Sequence, residues 1–146
     1  MITPIEDNII EKLIALAKSD ARIDVLWLYG SQAKGTANEH SDYDLAVAFN
    51  SFPEDAWDKR LQPELLAFDW IDALGWPENR LSVADINHIP IPLALSIVTT
   101  GKVLYVKNAY RLAREENRIT SMWEIDYLYH KQHYGRSILN SDARTS

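Results

Sequence analysis

The sequence contains no cysteine among its 146 residues, and this absence limits its chemistry. Disulfide bonds and zinc sites built on thiolates are excluded, because each needs cysteine sulfur. Long apolar runs are lacking too, since none approaches the ~20 residues that a membrane-spanning helix requires. Residues 1–7 are acidic and do not form the apolar core of a signal peptide. These absences predict a cytoplasmic protein without a membrane partner.

A net positive charge is also absent. The chain carries 15 lysines and arginines against 21 aspartates and glutamates, which gives a net charge of -6. Because non-specific binding to nucleic acid is driven by basic patches, we expect no direct nucleic-acid binding. The acidic balance leaves room for a basic protein partner. With 47% hydrophobic residues the chain can bury one core, and we expect a single domain over residues 1–146.

One stretch of the sequence combines a glycine turn with paired aspartates. The apolar run 23–29 predicts a strand, which ends at Gly30-Ser31, where a short helix is expected to begin. Asp42 and Asp44 open a second apolar run. Residues two apart on a strand share a face, so we expect the two carboxylates to lie together.

This arrangement favours a metal-bound nucleoside triphosphate as the ligand. Two neighbouring carboxylates are costly unless a cation or a proton neutralises them. Magnesium and similar hard cations take oxygen ligands of this kind. The turn into the short helix presents backbone N–H groups, which can bind phosphate oxygens.

The spacing Gly30-Ser31-x10-Asp42-x-Asp44 resembles the motif of the DNA polymerase β-like nucleotidyltransferase superfamily. The residues around both halves of the motif are similar to its minimal branch, the MNT-type antitoxins of HEPN/MNT toxin–antitoxin pairs. The resemblance implies an α/β (α+β) fold with a mixed four-stranded sheet, flanking helices and a long C-terminal helix. It also implies ATP as co-substrate and a two-metal magnesium site.

The same resemblance assigns roles to individual residues. Asp42, Asp44 and Asp85 would be the catalytic and metal-binding carboxylates, with Asp85 near the end of the third predicted strand. The nucleotide-binding candidates are Gly30, Ser31, Lys34 and Ser41. A plainer interpretation of Asp85 is an aspartate that ends a strand, a common turn role. Lys34 stands where many relatives carry arginine, so it keeps the charge but lacks the planar fork.

The remaining elements follow from hydrophobic spacing and from turn residues. We expect Pro63 to break or kink a continuous helix after residues 54–62, and it suits the first turn of a new helix over 64–74. The other predicted elements are a helix from Thr3-Pro4 to residues 19–20, a strand over 80–86, a helix over 93–100, a strand over 102–106, a helix over 107–134 and a frayed tail over 135–146. Residues 20–106 would form the core of the domain.

Two polar groups on the last predicted helix were weighed as binding sites. Arginines three to four apart predict a solvated basic face; they are Arg111, Arg114 and Arg118. Acidic and histidine side chains at positions i, i+4 and i+7 imitate a metal site; they are Asp126, His130 and His133. No fourth ligand accompanies them, so we expect no metal there.

Three functions fit these patterns. The resemblance favours a protein adenylyltransferase antitoxin that transfers AMP from ATP to a tyrosine hydroxyl of its cognate HEPN ribonuclease toxin. The chain has almost nothing beyond a minimal core, so its acceptor must bring its own binding surface, as a protein does. One alternative is a non-catalytic antitoxin that acts by binding and occlusion. The other is a small-molecule nucleotidyltransferase of the aminoglycoside type. The sequence leaves a homo- or hetero-oligomer open.

Overall fold

The structure is a computed structural model that describes residues 4–35 and 42–145, with the side chains of residues 8–35 and 42–132. Four strands are present in this part: β1 (Ile23–Tyr29), β2 (Tyr43–Phe49), β3 (Leu81–Asp85) and β4 (Lys102–Val106). The helices there are α1 (Pro4–Ser19), α2 (Ser31–Lys34), α3 (Ala56–Leu74), α4 (Ile91–Thr100) and α5 (Ala109–Thr145). A 3-10 turn over Glu78–Arg80 leads into β3.

The strands form one mixed sheet in the order β3-β2-β1-β4. β1 pairs antiparallel with both β2 and β4, whereas β2 pairs parallel with β3. The parallel pair is joined by the crossover helix α3, which a parallel connection requires. The end of β1 therefore lies beside the starts of β2 and β3. The sequence prediction of a mixed four-stranded sheet flanked by helices is confirmed.

Each face of the sheet is covered by its own hydrophobic core. Leu26 and Leu28 of β1 pack with residues of α1 and α3, such as Leu13 and Trp70. Val25 and Trp27 of the same strand pack on the opposite face with residues of α4 and α5; these are Ala94, Ile97 and Ile119. The apolar pattern of β1 on both faces predicted a central strand, and the structure confirms it.

The prediction that Pro63 interrupts the third helix is wrong. α3 runs continuously from Ala56 to Leu74 with Pro63 inside it. Proline has no N–H to donate to the carbonyl of Lys59, four residues earlier, so one helical bond is lost. The helix continues because Leu66 and Trp70, beyond the proline, are buried against the sheet. Tertiary packing outweighs the local penalty here.

α5 also differs from its predicted bounds, because the helix extends to Thr145 instead of ending at residue 134. The predicted frayed tail over 135–146 is therefore helical up to residue 145. Ile119 is the last buried residue among the described side chains of α5. Between residues 120 and 132 of α5, every described side chain is exposed or half-buried. No helix within residues 4–35 and 42–145 has the length and apolarity needed to cross a membrane.

The prediction of a solvated arginine face on α5 is wrong for Arg111, which is buried. Its Nε donates to Glu115 Oε1 at 2.9 Å, its Nη1 to the Phe49 carbonyl at 2.8 Å and its Nη2 to Asn87 Oδ1 at 2.7 Å. Arg118 Nε donates to the other oxygen of Glu115 at 2.7 Å. The network fixes α5 to the ends of β2 and β3, far along the sequence, which helical spacing alone does not reveal. Arg114 is exposed, as predicted.

Candidate active site

Gly30 makes a sharp turn between β1 and α2. Its backbone has φ 72° and ψ -154°, a region open to glycine alone. A Cβ added to Gly30 would lie 2.5 Å from Oδ2 of Asp44. The residue is therefore glycine for two reasons, its conformation and the carboxylate above it. The pairing of Tyr29 with Asp44 in the antiparallel ladder brings the two halves of the motif together.

Ser82 is hydrogen-bonded to the second carboxylate oxygen of Asp44. In the parallel ladder Asp44 is paired with Ser82, so both side chains point to the same face. The Ser82 hydroxyl donates to Asp44 Oδ1 at 2.8 Å. Ser82 is not among the site residues predicted from the sequence. Only the strand register shows that it belongs here, although its position at the start of an alternating strand was visible.

The other residues of the motif lie around this pair with different exposures. Asp42 is exposed and immediately precedes β2, while Ser31 is half-buried at the first position of α2. Lys34 is exposed at the end of α2, where its backbone N–H donates to the Gly30 carbonyl at 3.1 Å. Ser41 lies outside the described residues. Among the described residues, the motif side chains at this edge, where β1 ends and β2 begins, are thus exposed or half-buried.

A comparison with protein-family models identifies the family of the chain. The family model described as polymerase beta, nucleotidyltransferase matches residues 11–110, which is more than half of the chain. The chain belongs to the polymerase β nucleotidyltransferase family. The matched range contains all four strands and the whole glycine–aspartate motif. None of the curated proteins compared with the sequence matches it.

Several solved structures share the fold of this nucleotidyltransferase. A chain of a toxin–antitoxin with AMP-PNP superposes with a TM-score of 0.66 at 21% identity, covering 89% of this chain and 98% of its own. A chain of a tri-AMPylated Shewanella oneidensis HEPN toxin in complex with MNT antitoxin gives a TM-score of 0.62 at 18% identity. It covers 92% of this chain and 98% of its own. A chain of the toxin–antitoxin MntA-HepT gives 0.58 at 19%, with coverages of 94% and 99%.

Asp85 does not join the other two aspartates, which corrects its assignment as the third carboxylate. It pairs with Val47, three residues further along the ladder than the pairing of Asp44 with Ser82, a distance of about 10 Å along the strand. An odd offset also places it on the opposite face of the sheet. There it lines a pocket of ≈ 590 Å³ with side chains of α3, among them Lys59 and Arg60.

The contacts of Asp85 fit the plainer interpretation of an aspartate that ends a strand. Its Oδ1 accepts from the backbone N–H of Asn87 at 2.9 Å, and its Oδ2 lies 2.8 Å from His88 Nδ1. Aspartates commonly close turns in this way. The carboxylate is buried and already has two partners within its own loop.

Tyr29 is a further half-buried group beside the glycine turn. Burial raises the pKa of its phenol, and the nearby carboxylate of Asp44 raises it further. The hydroxyl therefore keeps its proton at neutral pH and can donate a hydrogen bond. Its place directly before Gly30 was the signal in the sequence that could have marked it.

The donors at this edge fit a hard divalent cation. Asp42 and Asp44 offer carboxylate oxygens, the kind of ligand that magnesium takes in proteins. Among the side chains of residues 8–35 and 42–132, no three acidic, histidine or cysteine residues are grouped closely enough to hold a metal. Asp126 and His130 accordingly form no such group, and His133 lies outside the described side chains. The described site thus offers two carboxylates, where the sequence analysis expected three.

Proposed function

We propose that this chain is an MNT-type antitoxin that transfers AMP from MgATP to a tyrosine hydroxyl of a cognate HEPN toxin. The observation that carries the proposal is the Asp44 carboxylate held over Gly30 at the start of β2. It supports the proposal because it brings the glycine and the second aspartate of the motif together. Toxin–antitoxin complexes among the similar structures support the choice of acceptor.

Different residues of this edge would bind the metal and the phosphates. Asp42 and Asp44 would hold the magnesium ion of the nucleotide, and Gly30 and Ser31 would bind phosphate oxygens through backbone N–H groups and the serine hydroxyl. When bound, the metal neutralises the triphosphate and its leaving group. Lys34 contributes a positive charge at the mouth of the site.

The transfer itself needs positioning more than covalent help. The tyrosine oxygen attacks the α-phosphorus of ATP, and a new O–P bond joins AMP to the toxin. The bond to the β-phosphate oxygen breaks and pyrophosphate leaves, while the hydroxyl proton passes to solvent or to a carboxylate. An edge with exposed side chains suits an acceptor that is itself a folded protein, because the partner can close the site.

α5 offers a surface on which such a protein could dock. Four large apolar side chains beyond Ile119 are exposed on one side of the helix and are called the α5 stripe here: Met122, Ile125, Leu128 and Tyr129. Met122 and Tyr129 follow Glu115 at intervals of seven residues, so the stripe continues the side of α5 that faces the sheet. Contiguous exposed apolar surface of this kind marks interaction sites. We assign it to the toxin.

The test is intact mass spectrometry of the protein encoded beside this one, after incubation with this chain and MgATP. We expect mass increments of AMP on the partner. The variant Asp42→Asn, Asp44→Asn should produce none, because it removes both metal-binding carboxylates. Asp85→Asn is the matched control: it removes one carboxylate on the opposite face and should keep most of the activity. Full turnover by the double variant would rule out the mechanism.

A second candidate, neutralisation by occlusion alone, has one observation in its favour. The described side chains place two carboxylates at the edge, not three. A stable complex with the partner, without AMP increments and without dependence on ATP, would establish occlusion. If neither AMP increments nor a complex is observed, small-molecule acceptors become the candidates.

A further inference from the structure

Asp44 is constrained at both of its carboxylate oxygens. Oδ1 accepts a hydrogen bond from the Ser82 hydroxyl at 2.8 Å. Oδ2 lies so close over Gly30 that a Cβ there would come within 2.5 Å. The glycine leaves room for the carboxylate, and the serine fixes its rotation. The side chain is therefore held in one orientation.

The position of Ser82 is dictated by the parallel ladder. Asp44 pairs with Ser82, and the next same-face pair along the strands is Ala46 with Ala84. Ser82 thus supplies the polar side chain that β3 places directly beside the aspartate. It is itself exposed, so burial does not require its hydroxyl to find a partner.

We propose that Ser82 is a positioning residue, whose hydroxyl orients Asp44 to bind the divalent cation of the nucleotide. The proposal rests on the proposed function, because it concerns the same metal-binding carboxylate. A hydrogen bond to one carboxylate oxygen of Asp44 fixes the side chain before the metal binds. Less side-chain entropy is then lost when the metal binds. Loss of such outer partners typically weakens metal affinity by about 10–100-fold.

A purely structural role for the hydroxyl makes a different prediction. If the bond only joined β2 to β3, its removal would leave cation binding unchanged. Cross-strand pairs at exposed positions contribute little to stability. The positioning role therefore predicts an unchanged midpoint of thermal unfolding together with weaker cation binding.

The experiment is a titration of the full chain with Mn²⁺, followed by electron paramagnetic resonance, with no toxin and no turnover. We expect Ser82→Ala to weaken Mn²⁺ binding about tenfold. Ser82→Thr should bind like the natural chain, because threonine keeps the hydroxyl and suits a strand. Ser121→Ala, the same change on the exposed part of α5, should have no effect. Asp44→Asn should abolish binding.

Ser82→Asp tests the placement of the side chain. Neighbouring strands lie about 4.8 Å apart, so a carboxylate at this position would stand beside that of Asp44 and add a charged ligand. We expect at least tenfold tighter Mn²⁺ binding, and an unchanged affinity would contradict the placement.

Two other outcomes separate this proposal from the proposed function. Equal Mn²⁺ affinities of Ser82→Ala and the natural chain would overturn the positioning role while the metal site stands. Absence of Mn²⁺ binding by the natural chain would overturn the metal-dependent function itself, and the role of Ser82 with it.

Discussion

Gly30 is the residue on which the geometry of the edge most directly depends. Gly30→Ala would force a Cβ against Asp44 Oδ2 in a backbone region that other residues avoid. Gly35→Ala is the matched control, because Gly35 also has a positive φ, of 73°, but nothing within 4 Å. We expect the control to lose about 1–2 kcal/mol of unfolding free energy. Gly30→Ala should lose about 1–3 kcal/mol more through overpacking.

The measurement for this pair of glycines is unfolding in urea, repeated in an Asp44→Ala background. Removal of the carboxylate should recover part of the loss at position 30 and none at position 35. Equal losses in both backgrounds would show that the backbone conformation, not the contact with Asp44, explains the cost at Gly30.

Asp85 and Asp44 make a second comparison between single residues. Their side chains lie on opposite faces of the sheet, so their loss should affect different properties. Asp85→Asn should lower stability, because it disturbs the bonds to Asn87 and His88, and should leave Mn²⁺ binding within twofold. Asp44→Asn should abolish Mn²⁺ binding and preserve the fold. Loss of Mn²⁺ binding in Asp85→Asn would restore the role that the sequence analysis gave it.

At the scale of elements, Glu115 holds α5 to the sheet. Burial would raise the pKa of this carboxyl, but the hydrogen bonds from Arg118, Asn87 and Arg111 outweigh burial and leave the pKa below its ordinary value of 4.5. A lowered folded-state pKa means that the ionised form is favoured by folding. The stabilising contribution is therefore present above pH 4.5 and is lost as the pH falls through the folded-state pKa.

Glu115→Gln tests this network. Loss of one partner in a buried ion pair typically costs about 3–5 kcal/mol of unfolding free energy, and we expect that range at pH 7. The variant should also lose part of the acid sensitivity below pH 4.5, measured by urea unfolding at a series of pH values. Glu116→Gln, an exposed neighbour, should change stability by less than about 0.5 kcal/mol. Unchanged acid sensitivity in Glu115→Gln would mean that other carboxylates govern the transition.

At the scale of the whole molecule, substitutions in the α5 stripe should weaken docking of the toxin without changing the stability of the chain. Ile125→Ser, Leu128→Ser removes two exposed apolar side chains that contact no part of the described core. We expect unfolding to be nearly unchanged and the Kd for the cognate toxin to rise at least tenfold, as loss of an apolar anchor does at interfaces. Calorimetric titration of the two purified proteins measures this.

The control for the stripe removes polar side chains from the same segment. Glu124→Ser, Lys131→Ser deletes one charge of each sign, so the net charge is preserved. It should leave the Kd within about threefold, since exposed charges at the rim contribute little to affinity. Equal affinities of the stripe variant and the natural chain would place the docking surface elsewhere.

The sequence by itself determined the features that depend on neighbours along the chain. The motif spacing, the strand at residues 23–29 with two apolar faces and the start of α1 near Pro4 all follow from local periodicity and turn chemistry. These patterns indicated the family and the aspartates at residues 42 and 44, because the motif is local to one strand–turn–strand unit.

Only the tertiary structure decided the features that depend on pairing between distant segments. The register of β2 against β3 brings Ser82 to Asp44 and sends Asp85 to the other face. Packing against the sheet keeps α3 continuous through Pro63. Backbone and side-chain partners from other elements bury Arg111. In each case the outcome depends on contacts between residues more than twenty positions apart or on packing at a buried face. The local sequence indicates neither of these.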